Sequence, residues 1–166
     1  SQLEVGIQLQ DAATMRWLRC SYPGEVITPE QIDDAQALEG TLGMIDEEQL
    51  ASVAASMARA PDAGHLLAIH HHPVATGSWM DKHALQNTAA LTRWLSKHPV
   101  TAVLHGHIHA ETQAQLSNTP ILGVPSSCWQ WQLSAEFGLA SERPGFRVIE
   151  WAENGTFTSR IHRITQ

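Results

Sequence analysis

The sequence predicts an α/β fold in which βα units are followed by antiparallel hairpins. Two short apolar runs, Leu66–Ile69 and Val100–Leu104, each follow a segment with helical periodicity. The chain after residue 111 instead alternates between apolar and polar residues in the manner of strands. Strands that alternate with helices build parallel sheets, and such sheets place their chemistry at the carboxyl ends of the strands.

One helix is predicted before each apolar run. The first begins at Asp46, where Gln49 completes a capping box, and continues to about Arg59. The second extends from near Asn87 to Lys97. Each carries apolar residues on one face at helical spacing, namely Leu50, Val53, Ala54 and Met57 in the first helix and Leu91, Trp94 and Leu95 in the second.

Further strands are predicted in the last third of the chain, at Thr112–Ser117, Ile121–Val124, Gly145–Trp151 and Thr156–Ile164. Asn154-Gly155 lies between the last two and is the strongest hairpin signal in the chain. The first 45 residues are less regular. An alternating run at 3–9 predicts a strand there, and Pro23-Gly24 predicts a turn.

Composition excludes several classes of protein. The 166 residues carry 10 Lys+Arg against 17 Asp+Glu, a formal charge of −7, which argues against nonspecific binding of nucleic acid. No apolar run approaches the length of a membrane span, and no signal-peptide pattern opens the chain. The two cysteines, Cys20 and Cys128, are too far apart in sequence for a disulfide framework. We therefore predict a cytoplasmic protein whose partners are neither nucleic acid nor membrane.

Histidine is the unusual residue, because nine of the 10 histidines lie between positions 65 and 109. His70, His71 and His72 follow the first predicted strand, and His107 and His109 follow the second after a glycine. Adjacent parallel strands lie about 4.8 Å apart, so the loops that follow them converge on one site. Neutral imidazole is the commonest metal ligand near neutral pH. The clusters therefore predict a metal site, and solvated loop histidines are the alternative.

Two neighbouring features carry weaker predictions. His105 precedes the glycine and is predicted either to orient a ligand or to serve only in packing. Asp81-Lys82-His83 is a triplet that chelates metals in other contexts, but its position at a loop-to-helix junction favours helix capping by Asp81.

These motifs resemble those of a known family. A strand ending in His70-His71-His72-Pro73, followed about 30 residues later by Gly106-His107-Ile108-His109, resembles the calcineurin-like metallophosphoesterases. The loop Gly77-Ser78-Trp79-Met80-Asp81 and the stretch Pro125-Ser126-Ser127-x-x-Gln130 are similar to the class III cyclic-nucleotide phosphodiesterase and glycerophosphodiesterase branch. The resemblance covers about residues 38 to 164.

The resemblance implies the C-terminal half of a four-layer αββα sandwich, with a poorly defined segment at 1–37 and the domain part at 38–166. It also implies two divalent metal ions, either Fe, Mn, Zn or Co, and hydrolysis of a small phosphodiester such as a cyclic nucleotide. By resemblance, His71 and His107 share one metal and His109 binds the other. Supporting positions around the metals are expected at His70 and His105, and substrate contacts at Trp79, Asp81 and Asn87.

The sequence also departs from the family pattern. Asp-x-His, Gly-Asp and Gly-Asn-His motifs are absent upstream of residue 65, so the histidine that protonates the leaving group is not identified. We therefore expect an incomplete half that is inactive alone and is completed by a missing N-terminal half or by a homo-oligomer. The alternatives are a non-catalytic, His-rich metal-binding or interaction module, and a cysteine hydrolase based on Cys128.

Overall fold

A computed structural model of the chain describes residues 43–151 and 157–164. Helix α1 spans Glu47–Met57, and both halves of the predicted capping box are present. The Gln49 amide donates to Oδ1 of Asp46 over 2.7 Å, and the Asp46 amide donates to Oε1 of Gln49 over 3.0 Å. These bonds satisfy two amides that the helix start would leave unpaired, which explains why the helix begins at this position.

The predicted βα order is confirmed. Strand β1 spans Leu66–Ile69, a 3₁₀ helix spans Trp79–His83, helix α2 spans Thr88–Leu95 and strand β2 spans Ala102–His105. Strand β2 thus begins two residues later than predicted and includes the first histidine of the second cluster. The two helices are linked, because the Trp94 indole donates to the Leu50 carbonyl over 3.1 Å. The apolar face predicted for α2 is buried, at Leu91, Trp94 and Leu95.

The four-stranded sheet has the order β1-β2-β4-β3, where β3 is Gln113–Leu116 and β4 is Thr119–Gly123. Strands β1, β2 and β4 are parallel, and β3 pairs antiparallel to β4. Every residue of β2 is buried, because this strand has a neighbour on each side. Val103 and Ile121 lie in the core between the sheet and both helices. The prediction of an α/β fold is confirmed.

A separate two-stranded sheet follows, formed by β5 at Gly145–Trp151 and β6 at Phe157–Arg163. The strands pair in an antiparallel register from Gly145↔Arg163 to Trp151↔Phe157, as the alternating pattern predicted. The expected Asn154-Gly155 turn lies outside the described residues, as do the strand and turn predicted near the start of the chain. In the part of the chain that the structure describes, no helix is long and apolar enough to span a bilayer.

Candidate metal centre

Two histidine clusters meet at the carboxyl ends of β1 and β2. The parallel register pairs Ile69 with His105, so the residues that follow these two positions leave the sheet side by side. The Gly106 amide donates to the His70 carbonyl over 3.1 Å and ties the two loops together. His107 then takes a left-handed backbone conformation with φ of 64°, which turns the chain sharply after the strand.

His70, His71 and His107 form the group that could hold a metal ion. One ring nitrogen from each lies within 4.8 Å of the others. Nδ1 of His107 lies 3.1 Å from Nε2 of His70. Two imidazoles on one tetrahedral zinc bring their nitrogens to about 3.3 Å, given Zn–N bonds of about 2.0–2.1 Å. The spacing of these two nitrogens therefore fits a shared ion.

The second nitrogen of the His107 ring, which faces a different direction from Nδ1, is a buried orphan atom. Nε2 of His107 is buried and has no hydrogen-bond partner among the described residues. Burial, and then the neighbouring His71 and His70, lower the pKa of His107 to about 2. Burial also lowers the pKa of His70. Both rings are therefore neutral near pH 7, and the neutral ring is the form that binds metals.

The structure places His109 apart from this group. Its ring stacks on Trp131, with centroids 5.6 Å apart and planes 13° apart, and meets Trp129 edge-on at 5.4 Å. Burial lowers the pKa of His109 to about 4. His109 is thus a neutral imidazole packed against two tryptophan rings. These contacts do not test the expectation that His109 binds a second metal, which stays a prediction.

His105 and His72 are the buried histidines behind the cluster. Nδ1 of His105 donates to the Gly106 carbonyl over 3.2 Å, and Nε2 lies 3.4 Å from Oγ1 of Thr112. The His72 ring is fully buried and nearly parallel to that of His107, with centroids 6.4 Å apart. His105 therefore fixes the loop that carries His107, and His72 packs beneath the His107 ring.

Asp81 does not cap a helix, contrary to the prediction from its position. Ser78 is the N-cap of the 3₁₀ helix. The Asp81 carboxylate accepts hydrogen bonds from the amide and hydroxyl of Thr76, from the Gly77 amide and from Nε2 of His72, at 2.8–3.3 Å. Burial raises the pKa of Asp81, but these hydrogen bonds outweigh it and hold the pKa below its ordinary value. The carboxylate is therefore occupied in closing its own loop.

The other predicted substrate contacts are also engaged within the protein. The Asn87 amide group bonds to the backbone of Ile45, with Nδ2 donating over 2.6 Å and Oδ1 accepting over 3.1 Å. The Trp79 indole donates to the Gln132 carbonyl over 3.2 Å. Its ring also packs edge-on against Trp131 at 5.4 Å. Their expected roles in substrate binding stay predictions, but these contacts give both residues a structural role.

Sequence reasoning missed the position of His83. Its ring lies edge-on to His107 with centroids 5.9 Å apart, and it also meets Trp79 at 6.3 Å. Burial, followed by the positive charge of Lys82, lowers the pKa of His83. The triplet around Asp81 was the available signal. A tight 3₁₀ helix, which no sequence periodicity indicated, brings His83 next to the cluster.

Comparison with protein-family profiles gives no match, whereas comparison with curated proteins does. The chain is 37% identical over 134 residues to a protein from Escherichia coli named 3',5'-cyclic adenosine monophosphate phosphodiesterase CpdA, a match that covers 79% of this chain and 49% of that protein. A CpdA of Haemophilus influenzae is 30% identical over 136 residues, 80% of this chain and 50% of that protein. A 3',5'-cyclic-nucleotide phosphodiesterase from Nostoc is 40% identical over 107 residues, 63% of this chain and 40% of that protein.

The chain belongs to the class III cyclic-nucleotide phosphodiesterase family. The resemblance seen in the two histidine motifs is thereby confirmed as membership of this branch of the metallophosphoesterases. The chain spans about half the length of the curated relatives it matches. For this member of the class III phosphodiesterases, the described residues supply a histidine cluster, and the Asp81 carboxylate, which contacts His72, is held by its own loop.

Proposed function

We propose that this chain forms part of a metal-dependent phosphodiesterase that hydrolyses a 3',5'-cyclic nucleotide. The observation that carries the proposal is the cluster of His70, His71 and His107 at the strand ends, in a chain whose curated relatives are named as cyclic-nucleotide phosphodiesterases. Neutral imidazoles suit Fe, Mn, Zn or Co. Divalent metals in such centres withdraw charge from the phosphodiester and favour in-line attack by water.

The residues of this chain would bind one ion directly and shape the space around it. His70, His71 and His107 present ring nitrogens to the ion. We propose that His109 faces a second ion and that Trp131, stacked on it, limits access of water from that side. Lys82, exposed on the 3₁₀ helix beside the cluster, adds a positive charge that favours an anionic substrate.

The histidines alone leave the charge of two divalent ions uncompensated, because the described residues bring no free carboxylate into the cluster. We therefore propose that residues 38–166 are the C-terminal half of the four-layer sandwich expected for the family. The remaining ligands and the proton donor for the leaving group would come from an N-terminal half or a second copy. A cytoplasmic location fits the nucleotide substrate and stays part of this proposal.

The test is complementation. The chain is fused to the half of the Escherichia coli relative that this chain does not match, and hydrolysis of cyclic AMP is followed with Mn²⁺. We expect no turnover from the chain alone and measurable turnover from the fusion, lost on His107→Ala but kept on His162→Gln, which changes an exposed histidine of β6. Robust turnover by the chain alone would contradict the proposal that it is an incomplete half.

The second candidate is a non-catalytic, His-rich metal-binding module, and the same cluster favours it. This reading predicts that Mn²⁺ or Zn²⁺ raises the melting temperature of the chain but that the fusion hydrolyses nothing. At a metal concentration about 100 times Kd, the stabilisation is about 2.7 kcal/mol. Activity in the fusion that needs no metal and is lost to a thiol reagent would instead favour a cysteine hydrolase based on Cys128.

A further inference from the structure

Residues 43–45 form a strip that begins beside the metal centre, where its first position leaves no room for a side chain. A Cβ atom on Gly43 would overlap the His71 ring. A side chain at position 43 would therefore collide with the His71 imidazole.

The segment 85–88 holds both sides of this contact. On one side, the Leu85 amide donates to the His72 carbonyl over 2.9 Å, and Oγ1 of Thr88 donates to the Pro73 carbonyl over 2.9 Å. These bonds fix the loop that carries His71. Because this anchoring does not involve the Asn87 side chain, it survives changes at that position.

On the other side, the same segment binds the strip 43–45, whose Gly43 lies against the His71 ring. The Gln86 amide donates to the Gly43 carbonyl over 2.9 Å. The Asn87 side chain bonds to both the amide and the carbonyl of Ile45. Asn87 is also the N-cap residue of α2 but makes no side-chain capping bond there. Its amide group therefore serves residue 45 and not the start of the helix.

We propose that Asn87 is a positioning residue that holds Gly43 against the His71 ring and thereby sets the geometry of the histidine cluster. The inference rests on the proposed function in one respect, namely that this cluster binds a divalent metal. A metal ligand must hold its ring at a defined angle, and loss of an outer partner of a ligand typically weakens metal binding about 10–100-fold. Asn87 acts here through the backbone of the strip.

The test compares Asn87→Ala and Gly43→Ala with two controls. Gln86→Ala removes an exposed amide whose side chain contacts only the Ala84 carbonyl among the described residues. Leu122→Ala truncates a buried residue of β4 in a core cluster that contains none of residues 43–45, and so destabilises the chain without touching the strip. Binding of Zn²⁺ and Mn²⁺ is measured by titration calorimetry, and the imidazole nitrogen signals of His71 are recorded by NMR in metal-free protein.

We expect both test variants to weaken metal binding by roughly tenfold or more and to shift the His71 signals. Leu122→Ala should lower the melting temperature yet keep wild-type affinity, and Gln86→Ala should change neither. If Asn87→Ala fails to fold, Gly43→Ala decides, because it leaves the bonds to Ile45 in place. Wild-type affinity and unshifted His71 signals in Gly43→Ala would overturn the inference.

The two proposals fail separately. If the wild-type chain binds no metal, the metal centre of the proposed function is wrong. The NMR comparison in metal-free protein still decides whether Asn87 and Gly43 set the His71 ring. Shifted His71 signals in both variants, with the signals of the exposed His162 unchanged, would uphold the positioning role, and unshifted signals would refute it.

Discussion

Acid should destabilise the metal-free chain strongly, because three buried histidines have to stay neutral in the folded state. Burial lowers the pKa of His105 and of His109 to about 4 and, with help from His71 and His70, that of His107 to about 2. In the unfolded chain each returns to its ordinary value of 6.5. Below about pH 6.5, these histidines bind protons in the unfolded state but not in the folded state, so the free energy of unfolding falls as the pH falls.

The size of the stability loss follows from the difference between the folded and unfolded pKa values. The stabilisation is fully present above about pH 6.5 and is lost as the pH falls towards the folded pKa values. At about one pH unit below 6.5, each of these histidines contributes about 1.4 kcal/mol less to the free energy of unfolding than it does at neutral pH. Together His105, His107 and His109 account for about 4 kcal/mol, which is a large part of the roughly 5–15 kcal/mol that stabilises a typical domain.

The assay is urea denaturation in EDTA, followed by tryptophan fluorescence at about pH 8 and about pH 5.5. We expect the free energy of unfolding to fall by at least about 4 kcal/mol in wild type, because burial also lowers the pKa of His70, His72 and His83, and by about 1.4 kcal/mol less in His105→Gln. Gln86→Ala, which removes an exposed and uncharged side chain, should leave the pH dependence unchanged. Equal stability at the two pH values, or a pH dependence that His105→Gln does not reduce, would refute the reasoning.

Three further predictions concern packing. Leu91→Ala truncates a fully buried side chain and should lower the free energy of unfolding by about 2–5 kcal/mol. Leu133→Ala, at a more exposed position, should lower it by less than about 0.5 kcal/mol. Similar losses for the two variants in urea denaturation would contradict the assigned core. Gln130→Ala leaves the half-buried Ser126 amide without its partner and should cost about 1–3 kcal/mol in thermal denaturation, and a neutral result would show that water replaces the side-chain amide. Trp79→Ala removes the indole bond to the Gln132 carbonyl and the ring contact with Phe137 but keeps the backbone bond to Ser134, so limited proteolysis should cut loop 132–140 faster while α2 stays protected. An unchanged cleavage rate would argue that the indole does not tether this loop.

Local sequence signals predicted the elements well where one physical rule dominated. The capping box at Asp46 fixed the start of α1, and the run Leu66–Ile69 matched β1 at both ends. The start of β2 was misplaced by two residues because Val100 is apolar but precedes the sheet pairing, which begins at Ala102. Apolar character marks burial, whereas strand bounds depend on which backbone groups meet a neighbouring strand.

Side-chain roles at the site were harder to predict. Asp81 was expected to cap a helix, yet it closes the turn at Thr76 and Gly77 and pairs with the buried His72, because the chain folds back within five residues. His70 was expected in a supporting position, but its ring nitrogen lies 3.1 Å from His107. Spacing along a chain indicates which loop carries a residue, but in irregular loops the backbone angles decide where its side chain points.

The amino-acid sequence was sufficient to predict the α/β class, the order of the elements and the convergence of two histidine clusters at one sheet edge. These follow from periodicity and from the rule that parallel strands end together. Which rings approach one another depends on tertiary packing. It joined His70 to His71 and His107, placed His109 on Trp131, and brought Gly43 against His71 through Asn87. Those contacts join residues far apart in sequence, so they depend on packing that no local pattern encodes.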